Sequence, residues 1–176
     1  VMVFTVIGII LAAVFVAMVI SILLSIFIWN PLEVGCQKFF INCKYGNAEL
    51  GDIAYGFKNG YAHIGMIMFL RGLFTGLWML LFIIPGIVKS YEYMMIPYLL
   101  AEHPEMTRQE AFAESKQMMD GNKWDAFVLD LSFIGWTLLG VCTFGILLVF
   151  YVEPYIYLTR AELYHALKNN NKSVEF

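Results

Sequence analysis

The chain has 176 residues, 60% hydrophobic and 14% charged, with a net charge of −3 and a mean hydropathy of +0.71. A soluble domain is nearer half apolar and a quarter charged, so the excess calls for a bilayer as solvent. No basic tract is present, which argues against nucleic acid as a partner.

Val1–Trp29 carries no charge. As one helix it would run about 43 Å, more than the ~30 Å a bilayer core requires. It lacks a basic n-region and exceeds a signal-peptide core, so it reads as a transmembrane helix. Because the chain enters at Val1 already inside the apolar run, a further helix is expected upstream. Trp29 suits the interface, and Pro31 is expected to break or kink the helix. Leu32–Gly46 reads as a short amphipathic segment on the membrane surface, and residues 32–60 as the amphipathic cytoplasmic connection.

Tyr61–Glu102 reads as a helical hairpin: an outgoing arm to Ile84, a turn at Pro85-Gly86, and a returning arm kinked near Pro97. The outgoing arm holds Gly72 and Gly76, a G-x-x-x-G spacing that lets another helix approach closely. In 103–123, Thr107 and Glu110 match a capping box, and Ala111, Phe112, Ser115, Met118 and Met119 share one face. This predicts an amphipathic helix over Arg108–Met119, resting on the bilayer or the bundle. Residues 124–168 read as a second hairpin, with an arm over Trp124–Leu139, a turn bounded by Gly140 and Gly145, and a returning arm holding Pro154. Residues 169–176 read as a polar tail with an Asn171-Lys172-Ser173 sequon.

The arms repeat. Tyr91-Glu92-Tyr93 then Pro97 matches Tyr151-Val152-Glu153 then Pro154, and Phe27-Ile28-Trp29-Asn30-Pro31 matches Phe150-Tyr151-Val152-Glu153-Pro154. The first span therefore reads as the returning arm of a third hairpin, a common theme in polytopic folds. With five crossings, both turns lack Lys and Arg, and the other side receives Lys38, Lys44, Lys58, Arg108, Lys116, Lys123, Arg160, Lys168 and Lys172. That side is then cytoplasmic by the positive-inside rule. A three-crossing rival divides these cations with little asymmetry. The hairpin reading makes two arms only about 24 Å long, which asks for little tilt, a thinned bilayer or partial depth.

Charges inside spans cost a few kcal/mol or more and usually face a bundle interior or a cavity. The candidate polar cluster is Arg71, Lys89, Glu92, Asp130 and Glu153. Arg71 lies about 21 Å and Asp130 about 15 Å along their helices from the outer turns, so Arg71 is expected to pair with Asp130, or failing that with Glu153. Lys89 and Glu92 are three apart and form a local pair. Ion pairing or snorkelling, a substrate or proton path, and acid–base chemistry are the three roles open to this set. Cys36 and Cys43 read as inert thiols and Cys142 as a small core residue. His63, His103 and His165 lack the convergent ligands of a metal site, and no catalytic or cofactor fingerprint is present.

The strings Asn30-Pro31-Leu32-Glu33-Val34-Gly35, Phe82-Ile83-Ile84-Pro85-Gly86-Ile87-Val88-Lys89-Ser90-Tyr91-Glu92-Tyr93 and Gly121-Asn122-Lys123-Trp124 resemble the domain-of-unknown-function family 975. That family consists of integral membrane proteins mostly of Gram-positive bacteria. It is distantly similar to the six-helix membrane domain attached to some bacterial glycerophosphodiester phosphodiesterases. The resemblance covers nearly the whole chain and implies an upstream helix, but no activity, ligand or catalytic residue.

The expectation is an all-α polytopic transmembrane helix bundle of the bacterial cytoplasmic membrane, built from repeated helical hairpins with Pro-kinked returning helices. Its function reads as a non-enzymatic binding, scaffold or transport-type module, with membrane lipids as partners and no cofactor. The rivals are a lipid-modifying enzyme using Asp130, Glu92 or Glu153, and a regulatory subunit that contacts a protein through Arg108–Met119.

Overall fold

The computed structural model describes residues 2–143 and 145–174, with side chains for 5–143 and 145–170. Phe144 and the side chains of the sequon, Lys172 included, lie outside the described residues. Among the described residues all regular structure is helical. Three helices are long and apolar enough to cross a membrane: Thr5–Lys44, Tyr61–Leu81 and Lys123–Cys142.

In the first, Pro31 does not break the helix. Helix α1 (Met2–Leu24) passes through a π turn (Ser25–Trp29) directly into α2 (Asn30–Lys44). Proline lacks an N–H and crowds the carbonyl four residues back. Here the π turn shifts the ladder by one residue, so that Asn30 donates to the Ser25 carbonyl. The carbonyl of Phe27, which Pro31 leaves without a donor, accepts the Tyr61 hydroxyl at 2.7 Å. Nor is α2 a surface segment: Asn30, Pro31, Val34, Gly35, Gln37 and Ile41 are buried.

A 3₁₀ turn (Leu50–Ala54) and the short α3 (Tyr55–Lys58) fold back on α2. Glycine makes this contact possible. A Cβ at Gly35 would overlap the Ile53 carbonyl, and one at Gly56 would overlap that of Pro31. Helices α4 (Tyr61–Leu81) and α5 (Ile83–Glu92) then pack side by side, and a Cβ at Gly86 would lie 2.6 Å from Met79 Cα. The chain reverses at the extended residue Phe82 (φ −152°) and not at Pro85-Gly86, which sits in the first turns of α5 where proline's missing N–H costs nothing.

Helix α6 (Ile96–Glu102) follows a short turn and again has proline second. α7 (Arg108–Met118) starts at the predicted capping box, and its face of Ala111, Ser115 and Met118 is buried against the bundle. The predicted arm over 124–139 is two helices, α8 (Lys123–Ser132) and α9 (Ile134–Cys142), joined at Phe133. The chain turns with Gly145 at φ +82°, a left-handed conformation that favours glycine. A second π turn (Leu148–Val152) leads into α10 (Glu153–Val174), so 169–174 is helical rather than a loose tail. Cys142 is exposed, not a core residue, and the three cysteines are unpaired.

The repeat seen in the sequence has a structural counterpart. Asn30-Pro31, Ile96-Pro97 and Glu153-Pro154 each open a helix, two of them after π turns in which the residue before proline donates to the carbonyl five back. The three helices run parallel. Phe40 stacks on Tyr157, Lys44 meets Glu162 and Tyr45 meets His165, so α2 and α10 advance together. Tyr98 stacks on Tyr164 and Glu102 pairs with Lys168, so α6 does the same. Around this trio sits the core, including Val34, Ile41, Leu99, Met118 and Tyr164. The helical segments before it carry an exposed apolar skin, with Leu80, Ile84, Leu138 and Phe150 among its members.

Candidate functional site

Where the skin meets the core, three groups of charged side chains join the helices. At the first, the Glu92 carboxylate closes α5 and is 3% exposed. It accepts Lys89 Nζ at 2.7 Å, one turn back, and Lys123 Nζ at 3.2 Å from the start of α8. The Ser115 hydroxyl of α7 donates to the Glu92 backbone carbonyl at 2.8 Å, tying a third element to the same residue. Lys89 also lies 5.8 Å from the Trp78 ring and 5.7 Å from that of Tyr93, which holds its stem across the α4–α5 contact.

The second group is centred on Asp130 of α8. One oxygen accepts Arg160 Nη2 of α10 at 3.0 Å, and the other accepts the Tyr91 hydroxyl of α5 at 3.0 Å. The carboxylate borders a cavity of about 300 Å³ walled by Phe133, Ile134, Leu138 and Ile156. The third is Arg71 of α4 with Glu33 of α2, at 2.9 Å.

Arg71 and Asp130 are therefore each paired, but with other partners than each other. The expectation of matched depth placed both in the outer arms. It missed Glu33, because that residue was assigned to a surface segment, and Arg160, because it was read as a marker of sidedness. Glu153 occupies the first turn of α10 and is exposed. Of the predicted cluster, only Lys89 and Glu92 come together. Gly72 and Gly76 have open space where a Cβ would stand, and Gly72 borders a gap of about 190 Å³ facing Ile22, Ser25 and Asn30 of the first helix.

Between the second and third groups lies the Tyr98 hydroxyl. Tyr98 is 2% exposed, and its oxygen makes no hydrogen bond among the described residues, although Arg160, Glu33, Tyr157 and Arg71 act on it electrostatically. The Arg160 Nε beside it is likewise unpartnered. A buried polar atom left unpaired costs about 1–3 kcal/mol. These two are tolerated inside a network whose charges are otherwise matched one to one.

Chemically, the arrangement joins elements. Glu33–Arg71 links α2 to α4, Glu92–Lys123 links α5 to α8, and Asp130–Arg160 links α8 to α10. Every carboxylate of the three groups is held by a cation, and Asp130 also by a phenol. Among the described residues no three His, Cys, Asp or Glu side chains converge as a metal site.

The profile of the family described as "Protein of unknown function (DUF975)" matches residues 1–171. The chain belongs to the DUF975 family. No curated protein and no solved structure matches it. For this DUF975 chain the family strings coincide with structural joints: Asn30–Gly35 opens α2, Phe82–Tyr93 runs from the reversal to the Glu92 group, and Gly121–Trp124 delivers Lys123 to it.

Proposed function

We propose that this DUF975 protein is a multi-pass protein of the bacterial cytoplasmic membrane and acts as a non-enzymatic binding scaffold, built from helical hairpins whose uncharged turns lie at the outer face. The observation that carries the reading is the pairing of the intramembrane charges. A general acid or base needs a carboxylate able to change protonation during turnover. Glu33, Glu92 and Asp130 are each committed to lysine or arginine in a contact that joins two helices. Intramembrane charges paired in this way hold a bundle in register. The lipid-facing placement is supported by Ile84 and Phe150, 77% and 79% exposed at the far ends of the two arm pairs. The cations Lys44, Arg108, Lys116 and Lys168 belong to α2, α7 and α10, on the side away from those ends, as the positive-inside rule asks of a cytoplasmic face. The outward face of α7, with Lys116 and Gln117 exposed, is the surface offered to a protein partner.

Two measurements test this. In a cysteine-free background, single cysteines replacing Ile84 and Thr143 should both react with an impermeant maleimide added outside intact cells. Labelling of either one only after lysis removes the hairpin topology. For the scaffold itself, proteoliposomes made with a total bacterial lipid extract should keep their lipid composition on incubation. A protein-dependent conversion abolished by Asp130→Asn, with folding intact, would instead establish the lipid-modifying enzyme.

A further inference from the structure

Between α5 and α8 runs a cavity of about 360 Å³ lined by Ile84, Ile87, Val88, Tyr91, Phe127 and, at one end, Lys123 with Trp124. Its walls are almost wholly apolar, and Ile84, Ile87, Val88 and Trp124 are exposed along it. The groove runs eight residue steps along α5 from Ile84 to the level of Glu92, about 12 Å of helix rise, the reach of roughly ten methylenes. At its mouth the charges do not balance: Lys89 and Lys123 share the single carboxylate of Glu92. Lys123 Nζ uses one donor on Glu92 at 3.2 Å, and an ammonium has three. Asp125, the nearest acid in sequence, stands about 200° around α8 from Lys123. Tyr91 lines the groove, its hydroxyl committed to Asp130.

We infer that this groove is a site for an anionic phospholipid of the inner leaflet, one acyl chain lying against Ile84, Ile87, Val88 and Phe127 and the headgroup phosphate at Lys123 beside Trp124. An apolar trough ending in one uncompensated cation matches the two halves of such a lipid, and a zwitterionic lipid lacks the net charge to exploit it. The inference names a ligand for the scaffold proposed above and rests on its membrane placement.

Trp124 is a built-in reporter. With Trp29, Trp78 and Trp136 changed to Phe, its fluorescence is measured in vesicles of mixed unlabelled and brominated lipid, the brominated component being either phosphatidylglycerol or phosphatidylcholine. Brominated phosphatidylglycerol should quench with roughly fivefold higher relative affinity, the preference one near-surface cation supplies. Lys123→Gln should abolish the preference, Lys123→Arg keep it, and Val88→Phe, which fills the trough without adding a second fluorophore, should weaken quenching by both lipids. Equal quenching by the two lipids, or a preference that survives Lys123→Gln, overturns the site. So does loss of quenching on adding inorganic phosphate, which assigns the cation to a free anion. Resistance of the protein to alkaline extraction from the same vesicles is read in parallel. Extraction removes the membrane reading itself, whereas retention with equal quenching removes only the lipid site.

Discussion

Helices α1 and α6 are both rich in Ile, Leu and Ala and meet opposite fates. α1 is apolar all round, and its side chains from Val6 to Leu24 stay exposed. α6 reads IPYLLAE, and six of its seven residues are buried. Hydropathy alone would bury α1, the more apolar of the two, ahead of α6. What separates them is the polar traffic at their borders. α6 ends in Glu102, which takes the Tyr164 hydroxyl at 2.6 Å and pairs with Lys168, so its neighbours are fixed on both sides. α1 has no charged side chain through which a partner could be specified, and an apolar surface with no partner is at home in lipid. The junction between the two regimes carries the π turns, the X-Pro steps and the three ion-pair groups.

The sharpest way to break that junction is at Glu92. Glu92→Ala leaves Lys89 and Lys123 without their shared carboxylate, and loss of one member of a buried pair costs about 3–5 kcal/mol. The variant should lose most of its yield and thermal stability in lipid, whereas Glu153→Ala, at an exposed residue, should be nearly silent. Equal effects would mean that burial does not separate the two regions energetically.

The glycines come next. In the core, Gly35→Ala must displace the Ile53 carbonyl and is expected to cost about 1–3 kcal/mol as overpacking. In the skin, Gly72→Ala meets nothing within 4 Å and should be neutral in the same thermal assay. G-x-x-x-G spacing pointed to Gly72, yet the tightest backbone approaches between elements distant in sequence fall at Gly35 and Gly56. Those two belong to pairs of elements whose contact is long-range, so no local spacing announces them.

The Arg71–Glu33 pair is less enclosed than Glu92, with side chains 24% and 40% accessible, so its loss should cost less than the loss of Glu92. Arg71→Glu should lower the melting temperature by a few degrees, and adding Glu33→Arg should restore it. Rescue by Asp130→Arg in place of Glu33→Arg would restore the depth-matched pairing and unmake the observed one. What could be read from the chain was therefore uneven. The all-helical class, the capping box and the local Lys89–Glu92 pair depend on neighbours within four residues. The partners of Arg71 and Asp130 do not: Glu33 follows from the path α2 takes after Pro31, and Arg160 from the placement of α10 beside α8. At Pro31 the helix does not break, because a one-residue π offset, with Tyr61 supplying the missing donor, lets it continue.

The smallest effect lies at the start of α7, where the two regions can be compared with one surface element. The Glu110 carboxylate accepts the Thr107 backbone N–H at 2.8 Å, and the Thr107 hydroxyl accepts the Glu110 N–H at 3.3 Å. The backbone bond first, and the side-chain bond second, hold the Glu110 carboxyl below its ordinary range. A carboxyl depressed in the folded state stabilises it fully above the unfolded value, about 4.5, and loses that contribution as pH falls through the folded value. Thr107→Ala should cost about 1 kcal/mol at neutral pH, read as a severalfold faster hydrogen exchange of the first-turn amides of α7. In Glu110→Gln the deficit should be smaller and should vanish as the pH is lowered below about 4.5, because wild type then loses the same charge. Exchange in α6, buried beneath α7, should not follow either change. If it did, α7 would be part of the core's cooperative unit, and the division would have to be drawn outside it.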